Sequence, residues 1–222
     1  MERAGDVIGC RGARLAFALL LLASCAGRAA AQDGTPAAPA SSRPSAGTIA
    51  TFLGGAALGL GMHESGHVVT ALLFDADPGI KGVSFGPIPF FAITHDTVSP
   101  AREYAISAAG FWMQAASSEW ILTRRPHLRV ETSPLAKGAL AFHVAASAAY
   151  AFAAFARVGP EERDTLSMAA SLRCKEPWVG AMVLAPAAFD VWRYRNPESK
   201  WARWASRAAK MGLVVAVGRA AR

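Results

Sequence analysis

His63 and His67 stand four residues apart in the run His63-Glu64-Ser65-Gly66-His67. On a helix that spacing puts both imidazoles on one face, a turn apart. Two neutral imidazoles so placed can bind one zinc ion. Glu64, beside His63, can reach a water activated by the metal and take its proton while the metal polarises a scissile carbonyl. The same carboxylate can then pass the proton to the leaving amine. These residue types at this spacing point to hydrolysis of a peptide bond, with Glu64 as general base and acid and Zn2+ as cofactor. Matches to so short a pattern also arise by chance, as two surface histidines around a solvated glutamate. The surroundings argue against that reading. TIATFLGGAALGLGM precedes the motif and VVTALLF follows it. Polar side chains in such a stretch are costly to bury unless something pairs with them, and a metal is an economical partner.

The elements that must position these residues are mostly apolar. Four apolar stretches cover residues 48–74, 104–122, 138–156 and 177–192. A further apolar piece at 211–218 is too brief to cross a bilayer. Between the first two stretches, residues 79–94 (GIKGVSFGPIPFFAIT) carry Gly and Pro punctuation with β-branched and aromatic residues. That pattern reads as short strands or a hairpin, whose edge could receive an extended peptide as an added strand. Gly54, Gly55, Gly59 and Gly61 lower helix propensity before the motif, and their use is close helix contact. The expected fold is an all-α membrane protein of about four transmembrane or membrane-embedded helices, with a small β-hairpin insertion after the motif helix.

Composition agrees with a membrane setting. The 222 residues are 53% hydrophobic and only 18% charged, below the usual share for soluble domains. The net charge of +7 could signal nucleic acid, but no surface interleaves aromatic and basic residues as a nucleic-acid reader would. Anionic lipid headgroups are the simpler partner. The expected partners are membrane lipids and a membrane-protein or peptide substrate, not nucleic acid.

The N-terminus resembles an export signal. Arg11 and Arg14 precede the apolar run Leu15–Ala23, and Ala29-Ala30-Ala31 offers a small-residue cleavage site. Lipoprotein processing at Cys25, after Leu22-Ala23-Ser24, and retention as a first anchor are the alternatives. Cys10 and Cys25 lie in the leader; with the leader removed, Cys174 has no partner and no disulfide framework exists. The chain divides into a signal peptide or anchor (1–31), a flexible linker (32–47), a membrane metalloprotease-like domain (48–193) and a basic tail (194–222). The expected location is a bacterial inner membrane, multi-pass. Orientation conflicts with this count. A cleaved signal and four spans would leave the tail bearing Arg193, Arg195, Lys200, Arg203 and Arg207 outside, against the positive-inside rule. The Ala-rich stretch 138–156 is the weakest of the spans.

Three pieces in order resemble the site-2 protease family of intramembrane zinc proteases. His63, Glu64, Gly66 and His67 are followed by Ala71. Gly79-Ile80-Lys81 and Ser84-Phe85-Gly86-Pro87 match a short strand segment of Gly-Phe-Gly-Pro character. Ala109-Gly110-Phe111-Trp112-Met113-Gln114 stands where the family carries Ala-Gly-Pro-x-x-Asn, with Phe for Pro and Gln for Asn. The resemblance covers residues 48–122 and loosens afterwards. It implies a zinc metalloendopeptidase acting on a membrane-embedded or membrane-adjacent peptide. It also implies an Asp as third ligand on a later helix. Pro186-Ala187-Ala188-Phe189-Asp190 offers Asp190, with a shorter spacing and without the family's Asn, Leu and Gly. Asp190 also ends an apolar run, where the alternative is pairing with Arg193 or Arg195.

Other side chains compete for roles. His143 is a second candidate ligand, or a hydrogen-bonded packing residue. Glu119 is a ligand in another zinc-protease style, or a residue near a helix end close to Arg124. His95 and Asp96 fit a turn. Gln114 can hold substrate backbone through its amide, or make an interhelical hydrogen bond. The six tryptophans suit interfacial anchoring or packing. Two rival readings remain at this stage: a non-catalytic metal-binding membrane protein, and a secreted helical protein with a vestigial motif.

Overall fold

The computed structural model describes residues 44–85 and 87–221. The leader (1–31) with Cys10 and Cys25, most of the linker, and Gly86 of the Gly-Phe-Gly-Pro match lie outside the described residues. Helix α1 (Ala46–Leu73) begins where the Ser45 hydroxyl accepts the Thr48 amide at 3.2 Å, an N-cap. Strands β1 (Gly79–Phe85) and β2 (Ile88–Thr94) pair antiparallel, with Gly79 opposite Thr94 and Phe85 opposite Ile88. A backbone bond from the Asp96 amide to the Ala76 carbonyl at 2.8 Å closes the base of this hairpin. Then follow α2 (Pro100–Arg124), α3 (Pro134–Ala156), the short α4 (Asp164–Ser171), α5 (Glu176–Arg195), α6 (Lys200–Val215) and α7 (Val217–Ala220). Pro100 and Pro134 open α2 and α3, where a missing N–H costs nothing.

Helix packing is set by small residues. α1 buries Gly55, Gly59, His63, Gly66, His67 and Ala71 along one stripe. α3 runs parallel to α1, since Gly55 meets Leu135, Gly59 meets Phe142 and His63 meets Tyr150. A side chain at Gly55 or Gly138 would collide with backbone of the facing helix, at Leu135 and Phe52 respectively. α2 runs antiparallel to α1. A Cβ on Gly66 would lie 2.6 Å from the Ala109 carbonyl oxygen, so only glycine admits this contact. Of the four glycines before the motif, Gly55 and Gly59 meet α3, while Gly54 and Gly61 face open space.

The outward face of α1 is the larger and more apolar one. Ile49, Phe52, Leu53, Leu58, Val69, Leu72 and Leu73 are exposed, Leu73 at 75%. α6 has the same inverted pattern: Ala202, Ser206, Lys210 and Leu213 point inward, while Trp201 and Trp204 are 79% and 66% exposed. The segment expected as a basic tail is thus a packed helix, tied in by Tyr104, whose hydroxyl donates to the Leu213 carbonyl at 2.9 Å. Among the described residues one helix, α3, is long and apolar enough to cross a membrane, with a hydropathy of 1.6. It contains the Ala-rich stretch read above as the weakest span. The polar residues that interrupt α1 and the charges near the ends of α2 and α5 set those helices below it.

Gly55→Ala should cost about 1–3 kcal/mol by forcing α1 and α3 apart. Gly54→Ala, in open space, should change stability by less than about 1 kcal/mol. Unfolding of the purified variants measures both, and equal losses would contradict the close contact at residue 55.

Candidate metal centre

His63 and His67 face inward from α1 because the stripe they belong to is the one that packs against α2. The Gly110 backbone lies directly against them. A Cβ there would stand 2.5 Å from both His63 Cε1 and His67 Nε2. Glycine at 110 is therefore what gives the two rings their space. Their Nε2 atoms are 3.2 Å apart.

The third donor comes from α4. Asp164 Oδ2 is 3.5 Å from His63 Nε2 and 3.5 Å from His67 Nε2. The three atoms form a nearly equilateral triangle. Ligands at about 2.0–2.1 Å from a tetrahedral zinc ion stand about 3.3 Å from one another, so the triangle has the dimensions of one tetrahedral face.

The proton on His67 agrees with that use. His67 Nδ1 donates to the Ile106 carbonyl at 2.8 Å, which leaves the Nε2 lone pair directed at the triangle. Asp164 Oδ2 has no hydrogen-bond partner, and 3.5 Å is too long for one. A proton on His63 Nε2 could bridge to His67 Nε2 but could not also satisfy Asp164. A cation satisfies all three donors at once. Burial pushes the Asp164 carboxyl up. The neighbouring His67, His63 and Tyr150 side chains outweigh burial and hold it below its ordinary value. The carboxylate is thereby kept in its ligating form.

Asp164 is held by its two neighbours. Arg163 grips Glu176 through two bonds of 2.7 Å, and the Thr165 hydroxyl donates to Glu176 at 2.8 Å. Glu176 and Thr165 are buried. The first turn of α4 is thus anchored on both sides of Asp164 to the first turn of α5. Lys81 on β1 pairs with Glu162, two residues before Asp164, which ties the hairpin to the same loop.

Glu64 is half-buried and interacts electrostatically with His63, His67 and Asp164. Ser65 is exposed, and its hydroxyl turns back to the Met62 carbonyl at 2.8 Å.

The other candidates sit elsewhere. Asp190 does not join the donor triangle; Asp164 stands there instead. The Asp190 carboxylate accepts from Ser206 at 2.6 Å and pairs with Lys210 at 2.7 Å. The physical reason is α6, whose inward polar face supplies a counter-charge. Gln114 is buried and accepts from Ser147 at 3.4 Å, an interhelical contact. His143 is buried with neither ring nitrogen partnered. Glu119 pairs with Arg193, Arg207 and Lys210. His95 bonds back to Asp96 in the loop before α2. Asp164 escapes sequence reading because Glu161-Glu162-Arg163-Asp164 looks like a solvated charged loop.

Asp164→Ala should abolish stoichiometric zinc binding, whereas Asp190→Ala should retain it. Glu176→Gln should weaken zinc affinity about 10–100-fold by loosening the turn that carries Asp164. Chelator competition on the purified variants measures all three, and equal affinity for Asp164→Ala and the parent would remove Asp164 from the site. No protein-family model, curated protein or solved structure matches this chain.

Proposed function

We propose that the chain is a zinc metalloendopeptidase that hydrolyses peptide bonds within or beside a membrane. The observation that carries this reading is the triangle of His63 Nε2, His67 Nε2 and Asp164 Oδ2, with edges of 3.2–3.5 Å, and with half-buried Glu64 next to His63 in the chain. Two imidazoles and one carboxylate form a three-ligand set of the kind that leaves a catalytic zinc one open position. Zinc, when bound, supplies Lewis-acid chemistry, polarising a carbonyl and easing the ionisation of water.

The chain's own residues do the rest. Glu64 takes a proton from the attacking water on its carboxylate and delivers it to the leaving amine nitrogen. Ile106 keeps the His67 proton on Nδ1. Gly110 leaves room for the rings. Arg163, Thr165 and Glu176 fix the turn that carries Asp164. The hairpin offers strand edges to which an extended substrate can add.

A membrane setting is supported by the inverted side-chain pattern of α1 and α6. Large apolar side chains point out, while the inward faces are made of small and polar ones apart from Leu213. In water that arrangement wastes apolar burial; in lipid it is the expected one. Exposed Trp120, Trp192, Trp201 and Trp204 suit an interfacial belt. We propose a bacterial inner membrane as its location, with lipid as its surroundings and a peptide or membrane protein as substrate.

Glu64→Gln should lower peptide hydrolysis at least about 10²-fold while zinc stays near one per chain. His67→Ala should lose metal and activity together. A Glu64→Gln variant that cleaves like the parent would overturn the mechanism. Alkaline carbonate washing should leave the protein in the membrane pellet, and its release would overturn the membrane setting.

A further inference from the structure

Phe111 touches both the metal centre and a second polar site that the mechanism above does not use. Its ring lies 5.3 Å from the His63 ring on one side. On the other it lines a cavity of about 20 Å³ together with Gln114, His143, Ser147, Pro186 and Asp190. A cavity of that size accommodates a water molecule, which needs about 10–15 Å³ on the same measure.

The polar groups around the cavity define what fits. His143 is 3% exposed and neither of its ring nitrogens has a partner. Gln114 is 4% exposed; its Oε1 accepts from Ser147, but its Nε2 has no partner. Asp190 accepts from Ser206 and Lys210 on the α6 side. A neutral imidazole presents one donor and one acceptor, and the amide nitrogen presents two donors. The ligand must therefore both accept and donate. A halide only accepts. A metal cation would face the ammonium of Lys210, already 2.7 Å from Asp190 Oδ1. Water meets both demands, and buried polar atoms in apolar surroundings require a partner of this kind.

We propose that this cavity is a binding site for ordered water, held by His143, Gln114 and Asp190, and that it is the local supply for the hydrolytic centre. The supply role rests on the peptidase reading above. Each turnover consumes one water: its oxygen bonds to the carbonyl carbon, the C–N bond breaks, and a proton goes to the departing amine nitrogen. Gln114, which lines the cavity, lies a single helical turn along α2 from Gly110, whose backbone stands against both imidazoles.

The test uses the full chain in detergent micelles, zinc-loaded, with 15N-labelled histidine rings. The His143 resonance is identified by its absence in His143→Phe. The parent should show a magnetisation-transfer peak between that ring and long-lived water. In Gln114→Leu the peak should vanish and peptide hydrolysis should fall about tenfold at unchanged zinc content, the size expected for one lost hydrogen bond. Gln114→Met carries the same expectation if the leucine variant does not fold. No water peak in the parent would overturn the site. A peak lost without any fall in hydrolysis would overturn the supply role. A parent without zinc or peptidase activity would overturn the hydrolytic reading, while the magnetisation transfer would still decide the water site.

Discussion

Two imidazole nitrogens and a carboxylate oxygen meet at 3.2–3.5 Å inside an apolar helix bundle. Their arrangement is unfavourable without a positive charge between them, because lone pairs converge where water is scarce. A divalent cation reverses the sign of that interaction. The surrounding architecture serves the convergence. Gly110 brings α2 against the rings, Gly66 brings the same helix against α1, and α4 projects Asp164 from the far side. Each of these contacts would be lost with one added methyl group or one turn of misplaced helix.

The bundle divides its polar interior into two compartments. One holds the donor triangle and Glu64. The other holds Gln114, His143, Ser147 and Asp190, backed by Lys210 and the Glu119–Arg193 pair. The aromatic rings of Phe111 and Tyr150, with centroids 5.0 Å apart, lie beside His63 between them. Asp190 is engaged there as a counter-ion to Lys210.

Much of this was legible in the residues. The apolar stretches at 48–74, 104–122, 138–156 and 177–192 each became a helix, because their runs of helix-forming residues are bounded by Ser or Pro at their starts. The hairpin at 79–94 was legible from its Gly and Pro punctuation. What escaped was long-range. α6 reads as a basic tail because its arginines and tryptophans dominate, and only folding reveals Ser206 and Lys210 turned inward to Asp190. Asp164 is flanked by charges and sits in a short helix with no sequence signature of its own. Its place beside the imidazoles depends on the Arg163–Glu176–Thr165 contacts, which link segments 11–13 residues apart. Motif spacing encodes which groups share one helix; it does not encode which loop closes over them.

One metal ion held by two imidazoles and one carboxylate has a distinctive zinc-edge X-ray absorption spectrum, to be recorded on the purified, detergent-solubilised chain. The expected first shell is nitrogen and oxygen only, at about 2.0–2.1 Å, with the multiple-scattering signature of two imidazole rings. A shell containing sulfur, or one lacking imidazole scattering, would contradict it.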